Sequence, residues 1–429
     1  MRIAMVTNTY LPNVGGVAES VKTFTEEYRR QGEEVLVICP EFEGAPDKEE
    51  GVVRVPAIQN FNGSDFSVRL PIPLYLHDTL DEYQPEIIHT HHPFLMGDTA
   101  ARMAASRGLP LVFTHHTMYE DYLHYFPPGD SAKLKRFVIE MATGFANLCD
   151  HVIAPSESIG EILRARGVES PLSAVPTGIR LADFSKGSGE AFRKDLGIPD
   201  RAFVIGHLGR LAPEKNLEFL AEAVSEYMLD QPNAHFLVAG KGESEETIRD
   251  IFYSEGLSER LHLAGVVKEQ RKTDCYHAMD VFVFASHTET QGMVLAESLA
   301  CGVPLIAVDA PGAREVVEDG VNGILVKEDR PSLIVEALKR IGSMNDGEKK
   351  DLGEASLKTV QPYSLESTAK KQLEIYRTLI GESFEKHDLE STVWARSIEQ
   401  IRVEWDLFVR TAAAMGTVIQ SENSESEEE

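Results

Sequence analysis

Arg210 and Lys215 stand five residues apart in FVIGHLGRLAPEKN, on either side of Pro213 and just after a β-branched run. Two cations on one loop suit a diphosphate, although a salt-bridged loop would use the same pair. Further along, HTETQGMVLAESLACGVPLI places Glu289 eight residues before Glu297, with Gly292 opening an expected helix. Eight residues at about 1.5 Å each span about 12 Å, roughly the separation of the sugar and the ribose in a nucleotide sugar. Carboxylates accept two hydrogen bonds from vicinal hydroxyls. The amides near Gly292 and Met293, at the positive end of that helix, would then face diphosphate or sugar oxygens.

A second glycine-marked turn lies near the start, where the first strand runs through TNTYLPN to Gly15 and Gly16 and then a helix from about Val17. Glycines there let backbone amides approach an anion, and they equally suit a tight turn. Neither Gly-Lys-Ser/Thr nor G-x-G-x-x-G follows any strand, which argues against a nucleoside triphosphatase or a dehydrogenase. Histidines are dense in the same half: His89, His91, His92, His115, His116 and His124. Neighbours on a strand point to opposite faces, so these cannot all converge on zinc. The expected roles are hydrogen bonding to substrate hydroxyls, with plain structural roles for His89 and His115.

The elements that must hold these residues alternate short β-branched runs with amphipathic stretches, the pattern of an α/β fold with parallel sheets. Seven strands are expected in IAMVTN, EVLVICP, GVVRVP, PEIIHTHH, PLVFTHH, HVIAPS and LSAVPTG, and six more in FVIGHLGR, HFLVAGK, LHLAGVV, VFVFAS, PLIAVDA and GILVKE. That predicts two doubly wound, Rossmann-like domains over 1–180 and 195–362, a helix over 363–380, and an acidic helical extension over 381–429 that ends in a disordered tail. Ligands of such folds gather at the carboxyl ends of the strands, here in an interdomain cleft. From Gly381 onward there are 12 acidic and 4 basic residues, so −8 of the net −27 sits in the extension.

The chain has 429 residues, with 42 Lys and Arg against 69 Asp and Glu, which disfavours nucleic acid as a partner. No stretch approaches the roughly 18 apolar residues of a membrane span. Cys39, Cys149, Cys275 and Cys301 are widely spaced, indicating neither a disulfide framework nor a zinc ribbon and fitting a reducing cytoplasm.

Taken together, GRLAPEKN, the Glu-x7-Glu of ETQGMVLAE, the following ACGVP and the early GGVAES resemble the retaining glycosyltransferases of family four, which have the GT-B fold. The resemblance covers residues 1 to about 380. It implies that Glu297 binds the ribose diol, that Glu289 meets the donor sugar's hydroxyls, and that Arg210 and Lys215 neutralise the leaving diphosphate. Gly16, beside Gly15, is implied near the β-phosphate, and His116 beside the donor sugar. Gly292, Met293 and Gln291 are implied around the donor, and the nucleobase near Lys241, Gly242, Val266 and Val267. The first domain would bind the acceptor and the second the nucleotide sugar. The donor implied is UDP-glucose, with GDP-mannose next, and catalysis needs no metal.

The first half resembles enzymes that glycosylate diacylglycerol or related lipids, and the ETQG variant with Gln291 fits that subgroup. Tyr119, Tyr122, Tyr125 and Phe126, close to Pro127 and Pro128, could wall an acyl or polyprenyl chain or simply pack under a loop. KLKRFVIEMATGFANL could form an interfacial helix with Lys133, Lys135 and Arg136 at its basic end, giving peripheral membrane contact, or a core helix with a charged start. Other readings stay open: a hexosyltransferase such as a mannosyl one acting on a soluble or polyprenyl-linked saccharide, a GT-B epimerase, or a non-catalytic sugar-nucleotide-binding protein.

Overall fold

The computed structural model describes residues 1–12, 15–46, 48–58, 68–69, 74–120 and 132–390. Tyr122, His124, Tyr125, Phe126, Pro127, Pro128 and the acidic tail beyond 390 lie outside the described residues.

Among the described residues two compact units form, one from Met1–Gly178 with the helical residues that begin at Thr368, the other from Ile179–Ser367. In the first, apolar runs become strands β1 (Arg2–Val6), β2 (Glu34–Pro40), β3 (Val52–Val55), β6 (Ile87–Thr90), β7 (Leu111–Thr114), β8 (His151–Ala154) and β9 (Leu172–Ala174). A two-strand antiparallel ladder of β4 (Ala57–Ile58) and β5 (Val68–Arg69) stands apart, a feature that the sequence reading did not anticipate. The seven strands pair in parallel in the order β3-β2-β1-β6-β7-β8-β9. Helices cover both faces of such a sheet, so both faces of its central strands must be apolar; Ile3, Ala4, Met5 and Val6 are all fully buried.

The second unit repeats the plan with β10 (Phe203–Leu208), β11 (Ala234–Ala239), β12 (Leu261–Gly265), β13 (Val281–Phe284), β14 (Leu305–Val308) and β15 (Gly323–Val326). All pairings are parallel, in the order β12-β11-β10-β13-β14-β15. Strand order reverses between β10 and β13, which brings the loops leaving their carboxyl ends side by side. All thirteen expected strands are present, and the fold is α/β with two Rossmann-like sheets.

The 26-residue helix Leu365–Glu390 is tied into the first unit by polar contacts, two of them buried and one exposed. The Tyr376 hydroxyl hydrogen-bonds with His89 Nδ1 at 2.5 Å, the Tyr28 hydroxyl donates to Gln372, and Arg377 donates to Glu33 at 2.8 Å. Among the described residues, no helix is long and apolar enough to cross a membrane.

Candidate active site

Lys215 ends the 3-10 turn Pro213–Lys215 that follows β10, and Pro213 at its start suits the fixed φ of that position. Asn216 then adopts a left-handed conformation, φ 54°, and caps the helix Leu217–Leu229. Glu289 stands in the loop after β13. Because β10 and β13 are paired neighbours, the two loops meet although 74 residues separate them, and the Lys215 ammonium donates to Glu289 Oε1. Both side chains are largely sheltered, at 14% and 23% exposure.

Arg210, on the same loop, is half exposed and donates to Glu214. On β10 and on these two loops are polar atoms that are buried without a hydrogen-bonding partner: His207 Nε2, Glu214 Oε2 and Thr288 Oγ1. Buried polar atoms are ordinarily satisfied, so this group marks a place where a polar ligand or water would complete the bonding. His207 is informative. Its Nδ1 lies 3.1 Å from the Val283 carbonyl, which fixes the proton there and leaves Nε2 as an acceptor, and burial lowers its pKa to about 4.

Glycines shape the neighbouring loops. Leu211 N donates to the Lys241 carbonyl at 3.0 Å and Ser244 N to the Leu211 carbonyl at 2.9 Å, stitching the turn after β11 to the turn after β10. A Cβ on Gly242, φ 155°, would lie 2.2 Å from the Leu211 oxygen, so only glycine permits this approach. Gly292, φ 66°, precedes the helix Met293–Ala300, and the side chain of Gln291 before it is buried. Val267 belongs to the unit's apolar core whereas Val266 is exposed.

Glu297 lies on the buried face of the helix Met293–Ala300. Its carboxylate is held by two residues that the sequence reading missed: Lys272 Nζ donates to Oε1 at 2.7 Å and the Tyr276 hydroxyl to Oε2 at 2.8 Å. Lys215 and Glu289 are thus in contact, while Arg210 and Glu297 each bond to other residues. The spacing of Lys272 and Tyr276, four apart on the helix Glu269–His277, was the available signal that both could act from one helix face.

In the first unit, β6 and β7 pair in parallel and carry the histidines to one end of the sheet. His89 and His91 share a face with ring centroids 4.2 Å apart, and His91 Nδ1 lies 2.8 Å from His116 Nε2. His92 turns the other way and accepts from Asn8 N at 3.1 Å. His89 is bonded to Thr114 at 2.7 Å, and His115 packs edge-on against Phe113 and Tyr119. Burial lowers the pKa of His89 and His92 to about 3, and pushes His91 and His116 well below the usual range, with neighbouring histidines adding to the effect. No group of three or more potential metal ligands assembles among the described residues. Gly15 is extended ahead of the helix Gly16–Arg30, and a Cβ on either glycine would meet nothing within 4 Å, so the backbone there is open to a ligand.

The helix Ala132–Ala146 buries Ala142, Phe145 and Ala146 in its last turns, while Leu134, Phe137, Val138 and Ile139 are only half-buried. Of the four cysteines, Cys39, Cys149 and Cys275 are buried and Cys301 is partly so; all are free thiols.

Two parallel sheets of this build, each with helices packed on it, are the plan of the GT-B fold. The sequence model of the group 1 glycosyl transferases matches residues 188–359, and that of glycosyltransferase family 4 matches residues 14–183. The chain belongs to this glycosyltransferase family and is a transferase enzyme. It is 30% identical over 361 residues to an alpha-monoglucosyldiacylglycerol synthase of Streptococcus pneumoniae, covering 81% of this chain and 80% of that protein. A GDP-mannose-dependent alpha-mannosyltransferase of Corynebacterium glutamicum is 28% identical over 335 residues, 76% of each chain. The crystal structure of Anabaena HepE in complex with UDP shares the fold, with a TM-score of 0.68, 18% identity, and coverage of 88% of this chain and all of that one.

Proposed function

We propose that this enzyme moves a hexose, glucose first among candidates, from a nucleotide sugar to a lipid hydroxyl such as that of diacylglycerol, forming an α-glycoside with retention. The observation that carries the reading is the Lys215–Glu289 contact, together with the unpartnered buried atoms of His207, Glu214 and Thr288 on the same strand and loops. A positive and a negative side chain at one place can grip a donor at both its phosphate and its sugar.

In this reading the acceptor hydroxyl attacks from the face that the diphosphate leaves, and the leaving oxygen takes the acceptor's proton. Charge builds on the diphosphate as the sugar becomes oxocarbenium-like, so preorganised cations stabilise the transition state more than the ground state. Lys215 and Arg210 supply that charge, each exchanging a carboxylate partner for phosphate oxygens, and they make a divalent metal unnecessary. Glu289 and His116 hold the sugar in register through its hydroxyls. The Gly292 and Met293 amides and Gln291 face the donor, Glu297 reads the ribose, Gly15 and Gly16 admit the β-phosphate, and the turn at Gly242 with Val267 borders the nucleobase.

UDP-glucose is the preferred donor in this reading; the likeness to the monoglucosyldiacylglycerol synthase supports the glucose. The likeness to a GDP-mannose-dependent enzyme favours GDP-mannose as the second reading. The half-buried apolar residues of the helix Ala132–Ala146, with Lys133, Lys135 and Arg136 at its start, would give the enzyme peripheral contact with the cytoplasmic face of a membrane.

A donor screen by thermal shift tests the assignment. A ligand at 100 times its dissociation constant adds about 2.7 kcal/mol of stability, so the true donor raises the melting temperature and the others do not. Failure of both UDP-glucose and GDP-mannose to shift it would defeat the reading.

A further inference from the structure

We propose that Lys272 and Tyr276 are positioning residues that aim Glu297 at a ribose cis-diol and thereby make this enzyme select ribonucleotide over 2′-deoxyribonucleotide donors. The inference rests on the nucleotide-sugar reading above and adds to it the residues that determine sugar discrimination in the nucleotide.

One carboxylate can accept only a limited number of hydrogen bonds. Each oxygen of Glu297 has about two acceptor positions. Lys272 occupies one on Oε1 at 2.7 Å and Tyr276 one on Oε2 at 2.8 Å. One position remains on each oxygen, side by side, and the donors on opposite oxygens fix the plane of the group. A cis-diol presents two hydroxyl donors at matching separation; a deoxyribose presents one and leaves a sheltered acceptor unmatched.

Both donors are themselves held in place. Tyr276 is fully buried in the apolar core, where burial and the charge of Glu297 push its pKa well above the usual value, so it stays protonated and can only donate. The Lys272 ammonium also lies 5.3 Å from the centre of the Phe184 ring, a second attraction that restrains it. Glu297 is only 6% exposed, so its charge is sheltered from water and the geometry of its partners governs what it can bind. Leaving a polar group unpaired in such a place costs far more than losing a solvated contact, and this asymmetry produces discrimination.

The test measures affinities of the full chain for UDP and dUDP, and for GDP and dGDP, by titration calorimetry, with thermal melts as the folding control. The wild type is expected to favour the ribonucleotide by roughly tenfold or more. Lys272→Met and Tyr276→Phe should weaken UDP or GDP by a similar factor and leave the deoxy forms nearly unchanged, so that the ratio falls toward one. Lys272→Arg, which keeps a cationic donor, should preserve the ratio. At saturating donor, kcat should hold while KM rises. Equal weakening of both sugars, or an unchanged ratio in both variants, would overturn the proposal. A wild type that binds ribo and deoxy forms alike would also overturn it while leaving sugar transfer intact. Binding of neither nucleotide would mean that the functional reading itself had failed.

Discussion

Replacing Lys215 by Met separates what the Lys215–Glu289 pair does for stability from what it does for chemistry. The two side chains are 14% and 23% exposed, between a surface pair worth under about 1 kcal/mol and a buried pair whose rupture costs roughly 3–5 kcal/mol. Lys215→Met should therefore cost about 1–2 kcal/mol of folding stability, mostly by leaving Glu289 without its cation. Removing one preorganised charge aimed at a developing anion costs about 3–4 kcal/mol, so turnover should fall by roughly 10²–10³. The double variant Lys215→Met/Glu289→Gln should regain most of the stability, because no unpaired charge remains, and none of the turnover. Urea melts give the first quantity. Nucleotide release from UDP-glucose with diacylglycerol in mixed micelles, at saturating donor, gives the second. Recovery of turnover together with stability in the double variant would show that Lys215 serves the fold and not the reaction.

Three further outcomes follow from the same geometry. Folded His89 has its pKa lowered to about 3 from 6.5, so the unfolded chain takes up a proton first as pH falls; stability is full above about pH 6.5 and declines toward pH 3. Melting in urea between pH 7 and 5 should show this loss, and His89→Gln should remove about 1 kcal/mol per pH unit from the slope below pH 6; an unaltered slope would show that this histidine is not neutral when folded. Gly292→Ala forces a side chain into φ 66° with its Cβ 3.0 Å from Leu295 Cδ1, which should cost about 1–2 kcal/mol and raise the donor KM, read from melts and initial rates. In the proposed mechanism cationic side chains neutralise the leaving group, so transfer should persist in excess EDTA, and strict dependence on added Mg²⁺ would contradict it.

The scaffold was readable because parallel strands buried on both faces leave continuous apolar runs; EVLVICP and VFVFAS each became a strand close to the expected bounds. The β4–β5 ladder was not readable, since two-residue strands carry no periodicity. The meeting of Lys215 and Glu289 followed from strand order, which places the loops after β10 and β13 together. The partners of Glu297 did not, because Lys272 lies 25 residues away on a separate helix and its reach depends on how that helix docks. The same holds for the Tyr376–His89 bond, which spans 287 residues. Histidine crowding was visible in the sequence, but the pairing of His91 with His116 depended on the register of β6 and β7.

The most direct measurement is the anomeric configuration of the product. UDP-glucose labelled at the anomeric carbon is incubated with the enzyme and diacylglycerol micelles, and the glycolipid is analysed by NMR. A single α-glucosyl lipid, formed with and without EDTA, is the predicted result. A β-linked product, or free glucose released from the donor with no glycolipid, would contradict same-face transfer to a lipid hydroxyl.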